Sequence, residues 1–186
     1  FRAKAGTWRE PHVTAKYAAC IFDTDAATGR LLQHVDSLGL APRTLVVFTS
    51  DNGGPHGQTS NEPLRGAKGG YYEGGIREPM LVRWPGKVPA GSTCAVPVIN
   101  VDFFPTFVAA AGGAPASGLD GTSLLPLFSE KPAPLGRSAL FWHFPGYLDT
   151  PVPRDPVFRT RPVTVIRKGD WKLHLWHEEW LLDGGR

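Results

Sequence analysis

The feature that most constrains the fold is a short, continuous apolar run, TLVVFT, at residues 44–49. Because the run is rich in β-branched residues, it predicts a strand that is buried on both faces, as in a parallel sheet. Before it, from about His12 to Leu38, apolar residues recur at three- and four-residue steps, and Gly39 follows. That pattern predicts an amphipathic helix. A helix followed by such a strand is typical of the α/β class.

A long glycine-rich segment, residues 51–78, follows the predicted strand and is too long to be a simple connection, so we expect a functional loop. It begins with Asp51 and Asn52, at the carboxyl end of the strand, where ligands bind in open α/β sheets. Carboxylate and amide oxygens suit Ca²⁺ or Mg²⁺ better than zinc. A plain Asp-Asn-Gly turn without a ligand is the alternative at this point.

The second half of this loop carries Lys68, between Gly66 and the pair Gly69–Gly70. An ammonium group on such a backbone can meet a tetrahedral oxyanion and stabilise charge on a leaving oxygen. The segment is not a Walker P-loop, because Ala67 and Gly69 occupy positions where that motif requires Gly and Ser or Thr. Four further charged residues are expected to form ion pairs within the loop: Arg65, Glu73, Arg77 and Glu78.

Beyond the loop, the sequence predicts a strand at residues 80–84 and a helix near residues 102–111 with Asp102 at its cap. The pattern then changes to short strands in hairpin style, with Gly169–Asp170 as a turn. We therefore expect an α/β domain over residues 1–137 and the beginning of a small antiparallel subdomain over residues 138–186.

Composition excludes several kinds of partner. The 20 basic residues nearly balance the 17 acidic ones and form no basic run, which argues against a nucleic-acid partner. No apolar stretch approaches the roughly 20 residues that a membrane-spanning helix needs. The two cysteines, Cys20 and Cys94, have neither metal-site nor disulfide-framework spacing, so we expect two separate structural thiols.

Several blocks together resemble the type I, formylglycine-dependent sulfatases. They include TLVVFTSDNGG, PLRGAKGGYYEGGIREPMLVRWPGKVPAGS, VDFFPTFVAAAGG, LDGTSLLPLF, FWHFPGY and VIRKGDWKL, in the order of that family. The resemblance extends from about Tyr17 to Leu173 and implies the C-terminal portion of an alkaline-phosphatase-like α/β fold. It also implies that Asp51 and Asn52 bind Ca²⁺, with Mg²⁺ less favoured, and that Lys68 contacts the sulfate and the ester oxygen.

The same resemblance implies a nucleophile that this sequence does not contain. The family makes its formylglycine from a Cys or Ser in a Cys-X-Pro-X-Arg type motif, and neither Cys20 nor Cys94 lies in such a motif. We therefore expect the nucleophile in an N-terminal part outside these residues, and a chain that is inactive alone. The implied substrate is a sulfate ester, with sulfated carbohydrate as one candidate, and family habit favours a periplasmic or secreted location.

Two histidines and two alternative functions complete the predictions. His143, in FWHFPGY, lies where family members often line the substrate side of the cleft, with aromatic packing as the alternative. His56 could reach the pocket or be an ordinary loop residue. A phosphatase or phosphodiesterase of the same superfold is the rival enzyme, against which the block around Lys68 argues. A non-catalytic remnant that binds a metal or an anion is the rival of another class.

Overall fold

The computed structural model describes residues 13–148 and 159–178. Its helices are α1 (Ala15–Ser37), α2 (Glu73–Ile76) and α3 (Phe103–Ala110). Its strands are β1 (Val46–Thr49), β2 (Met80–Arg83), β3 (Leu140–Phe144), β4 (Val163–Lys168) and β5 (Trp171–Trp176). The mixture of helices and small sheets agrees with the predicted α/β class. No helix in the described ranges is long and apolar enough to cross a membrane.

Helix α1 confirms the predicted amphipathic helix, although His12 lies outside the described residues. It begins after Thr14, whose hydroxyl accepts a hydrogen bond from the Tyr17 N–H at 3.2 Å. It ends before Gly39, whose φ of +66° is the left-handed conformation that glycine adopts at helix ends. None of the 23 residues of α1 is buried. The helix is therefore ordered locally without being packed into the described core.

Strand β1 lies where the sequence predicts a strand, but the expected burial on both faces is wrong. β1 pairs with β2 in an antiparallel ribbon in which Val46 is opposite Arg83 and Thr49 is opposite Met80. Val46 and Val47 are half-buried, whereas Phe48 and Thr49 are exposed. Within the described residues this sheet has only these two strands, so β1 does not lie inside a parallel sheet. No second sheet layer covers it within the described residues.

The C-terminal strands form the predicted antiparallel sheet, in the order β3-β4-β5. Trp142 is opposite Val165, which in turn is opposite His174. The two-residue turn at Gly169–Asp170 joins β4 to β5, with Gly169 at a φ of +56°. Since side chains alternate between faces, this register separates the sheet into a face toward the glycine-rich loop and a face toward solvent.

The main apolar cluster packs beside α3. Leu124, Leu127 and Leu135 form its buried part. Half-buried apolar side chains surround it: Met80, Val98, Phe103 and Phe128. All seven side chains come from residues 1–137, so this cluster lies within the predicted α/β domain. The boundary at 137/138, just before β3, stays a prediction.

Asp102 occupies the N-cap position of α3, as the sequence predicts, but its side chain makes no capping hydrogen bond. Its carboxylate is fully buried and accepts two hydrogen bonds from the Arg137 guanidinium, at 2.5 and 2.6 Å. It also accepts the backbone N–H groups of Ile99 and Thr122, at 3.0 and 2.9 Å. Asp102 therefore ties the start of α3 to Thr122 and Arg137, which lie 20 and 35 residues further along the sequence.

Candidate functional site

The predicted metal ligands lie directly beyond the carboxyl end of β1, as the sequence indicates. Asp51 is exposed and Asn52 is half-buried. The Asn52 side-chain amide donates a hydrogen bond to the Asp51 carboxylate, which brings the two side chains together. The next backbone N–H, that of Gly53, donates to the Gly75 carbonyl at 3.2 Å. The start of the glycine-rich loop is thus attached to its end.

This attachment depends on the absence of side chains at the contact. A Cβ on Gly53 would lie 1.8 Å from the Gly74 carbonyl oxygen, and one on Gly75 would lie 2.2 Å from the Gly70 carbonyl oxygen. Likewise, a Cβ on Gly74 would lie 2.3 Å from the Gly66 carbonyl oxygen. Because these neighbours are backbone atoms, they cannot move aside as a side chain could. The glycines allow the two ends of the loop to pack backbone against backbone.

Lys68 lies in a tight turn beside the loop of the predicted metal ligands. The turn is closed by a hydrogen bond from the Gly70 N–H to the Ala67 carbonyl at 2.9 Å. The Lys68 N–H donates to the Gly54 carbonyl at 3.1 Å, and the Lys68 side chain is exposed. Asn61 holds Gly54 from its other side, with side-chain hydrogen bonds of 2.9 Å to both its N–H and its carbonyl. Gly54 therefore links the segment of Asp51 and Asn52 to that of Lys68.

A second carboxyl group, that of Glu78, lies near Asp51. Its Oε1 atom is buried without a hydrogen-bond partner. Burial and the negative charge of Asp51 raise the pKa of Glu78 above its ordinary value. This crowding of acidic oxygen atoms is relieved when a cation binds, so the chemistry of the donor set fits Ca²⁺.

The described residues do not form a complete cage for that cation. Ca²⁺ takes six to eight oxygen ligands, whereas Asp51 and Asn52 supply only part of such a set. Residues 13–148 and 159–178 contain no group of three or more His, Cys, Asp or Glu side chains placed to hold a metal. The two side chains can therefore serve as part of a metal site but not as the whole of it.

The glycine-rich loop also packs against the C-terminal sheet, partly through ion pairs. Glu73 bonds to Lys172 of β5 and lies 3.7 Å from Arg77. Burial acts to raise the pKa of Glu73, but the hydrogen bond and charge of Lys172, with the charges of Arg167 and Arg77, lower it overall. Of the four charged residues predicted to form ion pairs, Glu73 and Arg77 do so.

The other two charged residues of the loop have different surroundings. The Arg65 guanidinium lies over the Tyr72 ring, 3.9 Å from its centroid, and Glu78 has the unpartnered oxygen described above. The Tyr72 ring also contacts His174, whose ring centroid is 4.6 Å from that of Tyr72. Burial, together with the charges of Lys172 and Arg65, lowers the pKa of His174.

His143 lies on the solvent-side face of the sheet. Its Nδ1 atom is 2.8 Å from the Thr164 hydroxyl, which is 2.7 Å from Nε2 of His177. Its neighbours in β3, Trp142 and Phe144, point to the other face, toward the loop. Within the described ranges, no hydrogen bond or ring contact links His143 to the residues around Lys68. Its role as a substrate contact stays a prediction.

His56 lines a cavity of about 590 Å³ formed by the loop and the residues before α1. Asn61 and Arg65 line the same cavity, whereas Asp51, Asn52 and Lys68 are not among its lining residues.

The two thiols, Cys20 and Cys94, are free and exposed, which confirms that they are separate.

Sequence reasoning missed two residues that shape the loop, Asn61 and Thr160. A loop asparagine that bonds to nearby backbone is common, so Asn61 offered a signal that could have been used. Thr160 gave no sequence signal, because its hydroxyl reaches the Gly69 carbonyl across a large sequence separation.

Comparison with known proteins gives a consistent result. A sulfatase of Formosa agariphila is 38% identical over 169 residues, which are 83% of this chain and 29% of the relative. A structure solved with its substrate D-glucosamine-2-N,6-O-disulfate matches with 30% identity and a TM-score of 0.70, over 88% of this chain and 31% of that one. Ps i-CgsB in complex with k-i-k-neocarrahexaose matches with 32% identity and a TM-score of 0.71, over 91% and 36%. This chain therefore spans about a third or less of the length of these proteins.

Two family models match overlapping parts of the chain. The model described as Sulfatase matches residues 1–114, and the one described as N-sulphoglucosamine sulphohydrolase, C-terminal, matches residues 67–180. The first match contains the whole glycine-rich loop, and the second contains its residues 67–78 together with the antiparallel sheet. This chain belongs to the sulfatase family, and it corresponds to the C-terminal portion of the alkaline-phosphatase-like α/β fold.

Proposed function

We propose that this chain forms part of the active site of an enzyme that hydrolyses sulfate esters. The observation that carries the proposal is the junction at Gly54, where the backbone N–H of Lys68 bonds to the segment that follows Asp51 and Asn52. A carboxylate, an amide and an ammonium group thereby belong to one tightly packed loop system. Sulfate is a tetrahedral anion, for which a cation beside an oxygen-rich metal site is suitable chemistry.

Each of these side chains has a distinct task in the proposed reaction. Asp51 and Asn52 would supply oxygen ligands to Ca²⁺, which would neutralise charge on the sulfate oxygens when bound. Lys68 donates a hydrogen bond from Nζ to the ester oxygen and stabilises the charge that develops there as the bond to sulfur breaks. The formylglycine nucleophile comes from outside this sequence, so residues 1–186 alone do not turn over substrate.

Sulfated carbohydrate is the proposed substrate class. The two solved structures described above, each at least 30% identical, contain a disulfated glucosamine and a carrageenan oligosaccharide. His143 is proposed as a substrate contact on the strength of its position in FWHFPGY. Its solvent-side location requires that substrate approach that face of the sheet.

A chimera tests the proposal. The matching part of the Formosa agariphila sulfatase is replaced by this chain, and sulfate release from a sulfated sugar is measured. We expect activity in the chimera, and Lys68→Ala is expected to lower kcat by about 10²–10³-fold, the usual cost of removing such a donor. The matched control is Lys87→Ala, which removes an exposed lysine outside the loop.

The outcomes also separate the alternatives. A chimera that prefers a phosphate monoester or diester over the sulfate ester supports the phosphatase reading. A folded chimera without activity toward either class, whose parent enzyme is active, supports a non-catalytic remnant. A Lys68→Ala chimera as active as the unmodified one would contradict the assigned role of Lys68.

A further inference from the structure

Hydrogen bonds fix the backbone around Lys68 from two sides, the first of which is the Gly54 segment. The Lys68 N–H bonds to Gly54 on the metal-ligand side of the loop. Gly69 follows it with a φ of +83°, the value that a type II turn requires at its third residue. The direction of the Lys68 side chain therefore depends on what fixes this turn.

Thr160, from outside the loop, fixes the turn on its other side. The Thr160 hydroxyl donates a hydrogen bond to the carbonyl of Gly69, the residue that follows Lys68. Thr160 is 3% exposed, so water does not compete freely for that carbonyl. No other described residue donates a side-chain hydrogen bond to the backbone of residues 67–70.

The hydroxyl is itself rigidly placed. Leu148 and Thr160 form an isolated antiparallel bridge, in which the Leu148 N–H donates to the Thr160 carbonyl at 3.0 Å. The Arg159 N–H donates to the Leu148 carbonyl at 2.8 Å. The Gly69 Cα packs against the same bridge, since a Cβ there would lie 2.4 Å from Arg159 Cδ and 3.2 Å from Leu148 Cδ1. The bridge and the turn thus fit closely together.

We propose that Thr160 is a positioning residue for Lys68, which fixes the lysine turn so that the amine is presented to a sulfate group. The inference rests on the proposed role of Lys68. A hydrogen bond to the backbone beside a charged group is an effective positioning device, because a displacement of about 1 Å at a reacting group can cost about 10²-fold in rate. Thr160 does not contact substrate and acts only through the turn.

The test uses the 186-residue chain and inorganic sulfate as the probe. Sulfate is titrated while NMR follows the Lys68 Cε–Hε signal and the Gly69 and Gly70 amides, and hydrogen exchange of the Lys68 amide is measured separately. In Thr160→Val we expect the sulfate affinity reported by the Lys68 signal to fall by about 2- to 10-fold, the equivalent of one ordinary hydrogen bond. Exchange of the Lys68 amide is expected to accelerate.

Two further variants distinguish positioning from general stability. Thr160→Ser keeps the hydroxyl and is expected to restore wild-type affinity and exchange. Thr44→Val removes a comparable hydroxyl-to-carbonyl bond, of 2.9 Å to Leu40, away from the loop, and is expected to change neither measurement. If Thr160→Val does not fold, Thr160→Ala removes the same hydroxyl with less bulk. Intact amide signals from β4 and β5 report that the sheet has formed.

The results separate failure of this inference from failure of the proposed function. Wild-type affinity and wild-type Lys68 exchange in Thr160→Val would overturn the inference. If the wild-type Lys68 signal does not respond to sulfate at all, the anion contact proposed for Lys68 fails. In that case hydrogen exchange still decides whether Thr160 fixes the turn.

Discussion

Helices α1 and α3 have opposite relations to the rest of the molecule. α1 has 23 residues, none of them buried, and it exposes large apolar side chains such as Ile21 and Leu31. α3 has 8 residues, yet Pro105 and Thr106 within it are buried, and the fully buried Asp102 precedes it. The difference indicates that tertiary contacts, rather than helix length, decide which part of the chain is firmly held. We call the part around α3 and the C-terminal sheet the packed half, and the part around α1 the open half.

The glycine-rich loop belongs to the packed half. It packs on the C-terminal sheet through Glu73 and Tyr72, and on Thr160 through Gly69. Its contacts with the open half include the β1–β2 ribbon and a hydrogen bond from the Thr14 N–H to the Gln58 carbonyl at 2.9 Å. The groups with shifted pKa values lie in the same part of the molecule: Tyr71, Glu73, Glu78 and His174. The candidate site is therefore built on the packed half, which can be tested by making the same chemical change in both halves.

The largest contrast is expected between two ion pairs. Asp102→Ala should lower the free energy of unfolding by about 3–5 kcal/mol, because it leaves the Arg137 guanidinium without its buried partner. Asp36→Ala removes the exposed partner of Arg83, at 2.7 Å, and should cost about 0–1 kcal/mol. Urea unfolding followed by circular dichroism measures both. Equal losses in the two variants would contradict the division into a packed and an open half.

A pair of Gly→Ala substitutions should give effects of opposite sign. Gly53→Ala places a methyl group 1.8 Å from the Gly74 carbonyl oxygen, so we expect a loss of about 1–3 kcal/mol, or somewhat more because backbone must move. Gly29→Ala lies within α1 with nothing within 4 Å of the added Cβ, and it should stabilise by about 0.5–1 kcal/mol. Thermal unfolding of the two variants beside the wild type measures the difference. A neutral Gly53→Ala would mean that the loop ends are not packed against each other.

The sequence predicts the elements of this fold better than their burial. The periodicity of α1, the β-branched run of β1 and the turn at Gly169–Asp170 are local signals, and each element lies where expected. Burial is not local, because it depends on which layers cover an element. For this reason β1 was expected to be covered on both faces and is instead half-exposed.

In the candidate site, too, the sequence predicts local properties better than tertiary ones. The residue types at Asp51, Asn52 and Lys68 suggest their chemistry, and the glycines between them indicate a backbone free to pack closely. The partner of each group is a tertiary property that spacing does not reveal. Thr160, which holds one side of the loop, emerges only from the structure, whereas Asn61 on the other side could have been suspected as a loop asparagine.

The smallest expected effect is a pH dependence that originates where the loop meets the sheet. His174 has a pKa below its ordinary 6.5, because of burial and of the charges of Lys172 and Arg65. Between the lowered value and 6.5 the unfolded chain binds a proton that the folded chain does not, so stability should fall as the pH falls through this window. His174→Phe keeps a ring between Tyr72 and Trp176 and removes the titration, so this part of the profile should flatten.

Glu73→Gln provides the control, because its effect belongs to a different pH range. The pKa of Glu73 lies below its ordinary 4.5, so its contribution is present above that value and is lost as the pH falls below it. Unfolding in urea from pH 7.5 to 3.5 should therefore show His174→Phe altering the upper part of the profile and Glu73→Gln the lower part. If His174→Phe keeps the wild-type slope near pH 6, the ring is not held neutral at the contact. The loop would then meet the sheet less closely than Tyr72 and Lys172 indicate.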